Sequence, residues 1–151
     1  MCLPVKPYKV EREWSHAGLQ CAVVQARQCS NRCGYVRVPP THPAHGKDYD
    51  AVDIDVHGGL TFSSLEPCST NEDGQGFWFG FDCAHFGDAT IDPQITLENA
   101  PTPELRKLLE INLKYPIRGE EDDHFWTQLE VERETERLAE QLAHMEAIHA
   151  H

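Results

Sequence analysis

Ala51-Val52-Asp53-Ile54-Asp55-Val56-His57-Gly58-Gly59-Leu60-Thr61-Phe62 and Phe77-Trp78-Phe79-Gly80-Phe81-Asp82-Cys83-Ala84-His85-Phe86-Gly87-Asp88 are the two stretches that decide the fold. Both alternate in side-chain character, and both run into turns rich in glycine, histidine and aspartate. A β-strand sends successive side chains to opposite sides of its sheet. In the first stretch Val52, Ile54 and Val56 then share one face, and Asp53, Asp55 and His57 the other. In the second, Phe77, Phe79, Phe81 and Cys83 lie opposite Trp78, Gly80 and Asp82. A slip of one residue would bury the carboxylates, so the register is strongly specified. If the two strands are neighbours, Asp82 joins Asp53, Asp55 and His57 on one polar surface.

The segments upstream read as more sheet. Lys9–Trp14 alternates weakly, His16-Ala17-Gly18 marks a turn, and Leu19–Ala26 is apolar enough for a strand, so a β-hairpin is expected. Gly34–Val38 alternates again and is stopped by Pro39-Pro40. Two loops, Thr41–Asp50 and Ser63–Gly76, lead into the two central strands without a crossover helix, which favours antiparallel pairing. A short extended piece is expected at Gln94–Leu97.

Downstream the period changes. Thr102-Pro103-Glu104-Leu105 carries an N-cap threonine, a proline at the first helical position and an acid in the first turn. Leu105, Leu108, Leu109 and Asn112 form a stripe, and Pro116 ends the helix. A last, acidic helix falls within 120–151, with Asp122 or Asp123 as its N-cap. Val131, Thr135, Leu138, Leu142, Met145 and His149 follow a heptad seam. That seam can lie on the chain's own body or make a homo-oligomer with a second chain. Phe125, Trp126 and Leu129 fall on another side and are expected to pack on the body. The expected architecture for 1–151 is one α+β domain, an antiparallel β-sheet of four to six strands with two C-terminal helices packed on one face.

At 151 residues the chain has the length of one domain. Its net charge is −12, and ten acidic but only two basic residues lie between 120 and 151. That sign disfavours direct binding to nucleic-acid phosphates and suits a basic protein partner or a metal ion. No apolar run is long enough to cross a membrane and no signal-peptide core is visible, so a soluble, intracellular protein is expected. The six cysteines do not form paired knuckles. Cys29 and Cys33 are separated by three residues, a spacing of neither a redox pair nor a zinc ribbon. Free thiols are the main expectation, and a zinc held by Cys29, Cys33 and a distant ligand is the alternative.

The central turns supply the chemistry. Gly58-Gly59 allows positive φ or close approach of a ligand, and Gly80 beside Trp78 leaves a gap that a flat ligand or a neighbouring side chain would fill. Asp53, Asp55, His57, Gly58, Gly59, Trp78, Asp82, His85 and Asp88 are therefore the candidate ligand-binding residues. His57, Asp82, His85 and Asp88 offer two imidazoles and two carboxylates, the donor set for a divalent metal. His57, Asp82 and His85 are the catalytic candidates, with a carboxylate orienting an imidazole as general base. Cys83, on the aromatic face, reads as a buried thiol rather than a nucleophile.

The HGGLTF segment (His57–Phe62) paired with GFDCAHFGD (Gly80–Asp88) resembles a family of small uncharacterised proteins encoded by bacteriophages and prophages. The resemblance extends to the Cys33-Gly34-Tyr35-Val36 strand, the His42-Pro43 loop and the C-terminal Leu138-Ala139-Glu140-Gln141-Leu142. It implies a phage-type origin and a cytoplasmic setting in a bacterial host cell. With the net charge, it suggests an accessory protein that binds and neutralises a host component, such as a nucleic-acid-handling defence protein. The alternative is a small ligand-binding or metal-assisted hydrolytic enzyme centred on His57, Asp82, His85 and Asp88.

Overall fold

The computed structural model describes residues 2–27, 31–68, 72–84, 88, 94–114 and 124–149, apart from the side chains of Asn112 and His149. Among them are five strands, β1 (Lys9–His16), β2 (Leu19–Gln25), β3 (Arg32–Val38), β4 (Phe62–Leu65) and β5 (Phe77–Asp82). Two helices follow, α1 (Pro103–Lys114) and α2 (Gln128–His149). The strands form one antiparallel sheet in the order β1-β2-β3-β5-β4. The expected α+β class is the one observed, with α2 packed on the sheet.

The β1–β2 hairpin closes through Ala17 (φ 54°) and Gly18 (φ 82°). Positive φ at both central residues is the turn whose twist matches that of paired strands. Glu11 is an extra residue between the paired positions Val10 and Arg12, a bulge that re-aims its carboxylate. Arg32 meets it with Nε donating to Oε1 at 2.6 Å and Nη2 to Oε2 at 3.2 Å.

β5 realises its alternation in full. Phe77, Phe79, Phe81 and Cys83 join Val36, Val38, Cys21 and Val23 in the main core. Trp78 points the other way, with Ala22, Val24 and Tyr35. The seam of α2 closes the main core. Val131, Thr135, Leu138 and Leu142 are fully buried, so this seam is occupied by the chain's own sheet. That is the first of the two expected arrangements, because these four seam positions face the sheet and not a second chain. Gly34 permits the close approach: a Cβ there would lie 2.2 Å from Thr135 Oγ1 and 2.6 Å from the Phe81 ring.

The first central stretch is not a strand before Phe62. Tyr49–Ala51 is a 3-10 turn, and 52–61 pairs with no strand except where Thr61 N–H donates to Gly80 O. Its alternation nonetheless describes burial. Val56 is buried, and Val52, Ile54 and Leu60 pack against the main core, while Asp53 and Asp55 are exposed. In place of a neighbouring strand, Gln141 on α2 accepts from Asp55 N–H at 2.8 Å and donates to Asp55 O at 2.8 Å. A single carboxamide thus satisfies both backbone groups of Asp55.

α2 begins at Gln128, and its N-cap is Thr127. Glu130 N–H donates to Thr127 Oγ1 at 3.2 Å while Thr127 N–H donates to Glu130 Oε1 at 3.0 Å. This reciprocal capping box places the cap at Thr127; Asp122 and Asp123, the expected caps, lie outside the described residues. Thr102 caps α1 as expected, accepting from Leu105 N–H at 3.1 Å. α1 meets the body through its first turn, where Leu105 is buried, while Ile111 and Leu113 are exposed. No strand forms at Gln94–Leu97: Gln94 and Leu97 lie in turns, and the Asn99 side chain accepts from Thr96 N–H and donates to Gln94 O.

The second face of the sheet is covered by the N-terminal arm, where Leu3 and Val5 pack on the Tyr35–Trp78 cluster. The arm brings Cys2 to a Cα separation of 6.2 Å from Cys68, and the two form a disulfide. This corrects the free-thiol expectation for that pair; Cys21, Cys33 and Cys83 are free. The zinc alternative needs Cys29, which lies outside the described residues.

Candidate functional site

His57, Asp88 and Trp126 form the most organised group among the central candidates. Gly59 N–H donates to Val56 O at 2.8 Å, and Gly58 sits at φ 69°, so Val56–Gly59 is a type II turn with glycine where positive φ is required. His57 occupies the corner before that glycine. Its Nε2 donates to Asp88 at 2.8 Å (Oδ2) and 3.0 Å (Oδ1). Trp126 Nε1 donates to Asp88 Oδ1 at 3.1 Å, and its indole lies against the imidazole with ring centroids 4.2 Å apart. The Asp88 side chain is 3% exposed and that of His57 is 23% exposed. A buried carboxylate therefore fixes the orientation of the ring.

Other groups hold Trp126 in place. Arg32 Nη1 donates to Trp126 O at 2.9 Å while the rest of its fork is bound by Glu11. The Arg32 guanidinium also lies 5.4 Å from the Phe125 ring. An isolated parallel backbone bridge joins Asp88 to His124, and His124 donates to Glu130 at 2.8 Å. Glu130 is held below the ordinary carboxylate range: burial pushes it up, but bonds from Thr127 and His124 outweigh that.

The expected polar surface does not assemble. Asp82 pairs across the ladder with Cys33 and lies on the Tyr35–Trp78 side, where Thr61 Oγ1 donates to it at 3.4 Å and Ala84 N–H at 3.2 Å. Asp53 and Asp55 lie on the exposed side of a segment that borders α2, and Asp55 receives Arg137 Nη2 at 3.2 Å. Among the described members of the proposed metal set, His57 and Asp88 are joined to each other, and Asp82 is not joined to them. His85 lies outside the described residues, and among those described no group of three or more His, Cys, Asp or Glu side chains could hold a metal ion. The gap at Gly80 is filled by Tyr35, whose ring a Cβ would meet at 2.4 Å. A flat ligand has no room there.

The three free thiols among the described residues are in poor surroundings for nucleophilic work. Burial pushes Cys21 up to about 12, and burial with the neighbouring Asp82 pushes Cys33 up to about 11. Cys83 is also raised, by burial and then by Asp88. A thiolate is the reactive form, and each of these sites suppresses it.

Two polar arrangements had no motif to announce them. Arg37 and Glu66 are buried together, with Arg37 Nε donating to Glu66 Oε2 at 3.1 Å and Nη2 to Oε1 at 3.2 Å. Arg37 also donates to Asp73 and to Gly74 O, while Gly76 N–H and Trp78 Nε1 donate to Glu66. The second arrangement joins β1 to α2. Arg12 pairs with Glu132, Trp14 Nε1 donates to Glu136 at 3.2 Å, and His16 meets Glu136 and Glu140 at 3.1 and 2.8 Å. Alternate residues of a strand and every fourth residue of a helix each lie on one face, so the two rows align. The only legible signal was their common spacing, and it identified no partner.

No protein-family model, curated protein or solved structure matches the chain. No helix among the described residues is long and apolar enough to cross a membrane.

Proposed function

We propose that this is a non-enzymatic, phage-type accessory protein that acts in the cytoplasm of a bacterial host cell. It binds a host protein with a basic surface and neutralises it; a nucleic-acid-handling defence protein has the right charge. The observation that carries this reading is the exposed 48–53 loop, where Asp48, Asp50 and Asp53 project into solvent with no side-chain partner among the described residues. The α2 glutamates are a poorer contact surface because Glu132, Glu136 and Glu140 are already engaged by β1. The resemblance at His57–Phe62 and Gly80–Asp88 supplies the phage-type part of the reading, and the raised thiols favour binding over cysteine chemistry.

The test is capture from bacterial lysate by the wild-type chain and by an Asp48→Lys/Asp50→Lys/Asp53→Lys variant, with folding verified by circular dichroism. A discrete host protein retained by the wild type and lost by the variant is expected. Equal capture by both sinks the acidic-surface reading.

One observation favours a second reading, a small ligand-binding or hydrolytic enzyme: the His57–Asp88 pair has the carboxylate–imidazole arrangement of a general base. In that case His57→Ala and Asp88→Asn abolish ligand binding or turnover while leaving the fold intact. Unchanged function in both variants excludes it.

A further inference from the structure

We propose that the groove between the 43–54 segment and the C-terminal half of α2 receives a basic amphipathic helix of a partner protein. This rests on the acidic-binder reading above and assigns it a docking surface. The groove has a volume of about 470 Å³, with Pro43, Ile54, Met145 and Ile148 among its lining residues. Ile148 is 62% exposed although it is a large aliphatic residue near the end of a helix whose seam is buried.

Charge decides the occupant. Asp53 and Lys47 both line the groove, and the exposed Asp48 and Asp50 lie between them in the same loop, so the loop carries three carboxylates against one cation. A second, more polar concavity shares Gln141 and His144 with the groove and is bordered by Asp55, Glu140 and Arg137. Arg137 is engaged by Asp55 and Glu134, and Glu140, although paired with His16, keeps its side chain 60% exposed. An apolar floor with an acidic rim is complementary to a helix carrying aliphatic residues on one side and lysines or arginines on the other. A second copy of this chain would bring its own acidic loop and a further net charge of −12. Like charge therefore disfavours self-association through this face.

The probe is a synthetic Leu/Lys amphipathic helical peptide, titrated into the full chain at low salt, with a Leu/Glu peptide of the same pattern as control. Binding is read by fluorescence anisotropy and by methyl and amide NMR shifts. The Leu/Lys peptide is expected to shift Ile54, Met145 and Ile148 and to weaken with added salt, while the Leu/Glu peptide does not bind. Ile148→Asp changes an exposed side chain, so the fold is retained, and it is expected to lower peptide affinity about tenfold or more. Shifts confined to other surfaces, or unchanged affinity in Ile148→Asp, overturn the groove assignment. Concentration-dependent dimerisation that Ile148→Asp abolishes also overturns it in favour of a second copy. The two levels of inference separate cleanly. Host-protein capture that survives Ile148→Asp but is lost in the loop-charge variant leaves the acidic binder standing and removes the groove. Capture insensitive to the loop charges removes the acidic-binder reading itself.

Discussion

Segments 52–57 and 77–82 carry the same alternation, yet only one of them is a strand. Phe77–Asp82 lies between β3 and β4, so both of its edges find backbone partners. Residues 52–57 border α2, a helix whose own backbone groups are already paired, and are satisfied in part by the Gln141 side chain. Both segments nevertheless put their even- and odd-numbered residues on opposite sides, the core and solvent for 52–57 and the two buried faces of the sheet for 77–82. Alternation therefore reports which side chains share a face. It does not report what bonds the backbone, because that depends on which element lies alongside.

Replacement of core residues gives the widest separation between the two. Phe79→Ala should cost about 3–5 kcal/mol, because Phe79 is wholly enclosed. Ile54→Ala, in the half-buried segment, should cost about 1 kcal/mol. Urea denaturation measures both; equal losses would mean that the segment is as integral to the core as the strand. Glycine substitution comes next. Gly80→Ala drives a Cβ into the Tyr35 ring and should cost about 1–3 kcal/mol as overpacking. At Gly59 the space is open but φ is +79°, so Gly59→Ala should cost about 1 kcal/mol from backbone strain alone.

Removing the carboxamide in Gln141→Ala should cost about 1–2 kcal/mol for two hydrogen bonds and accelerate hydrogen exchange at the Asp55 amide. Unchanged exchange there would show that Gln141 does not stand in for a strand. The smallest effect is expected in the connection between β4 and β5. The Arg37 guanidinium holds Asp73 below the ordinary carboxylate range. Its contribution is complete above the unfolded value of about 4 and is lost as pH falls through the lower folded value. Asp73 is half exposed, so the loss should stay below about 1 kcal/mol. Asp73→Asn should flatten that part of the stability–pH curve; an unaltered curve would discount the contact.

Much of the site was legible only as residue types. Gly58 and Gly59 were recognisable as positive-φ positions, and His57 and Asp88 as groups suited to acid–base or metal chemistry. Their pairing was not visible, because 31 residues separate them and the contact depends on Trp126 folding back over both. Asp82 was assigned to the wrong company for a related reason. Its parity within β5 was right, but the first segment did not supply the neighbouring strand face that the assignment required. Arg37 and Glu66 carried no signal at all, since a buried ion pair looks in sequence like two ordinary surface charges.

Local chemistry was enough for the β1–β2 turn, the faces of β5, the Thr102 cap and the apolar stripe of α2. Each depends on steric or hydrogen-bonding preferences that act over a few residues. Tertiary structure decided that the stripe closes on its own sheet, that the α2 glutamates are matched by β1, and that Cys2 meets Cys68. It also decided which carboxylate lies beside His57. Those outcomes depend on surfaces brought together from distant parts of the chain, where a side chain's partner is set by the packing of whole elements and not by its neighbours in sequence.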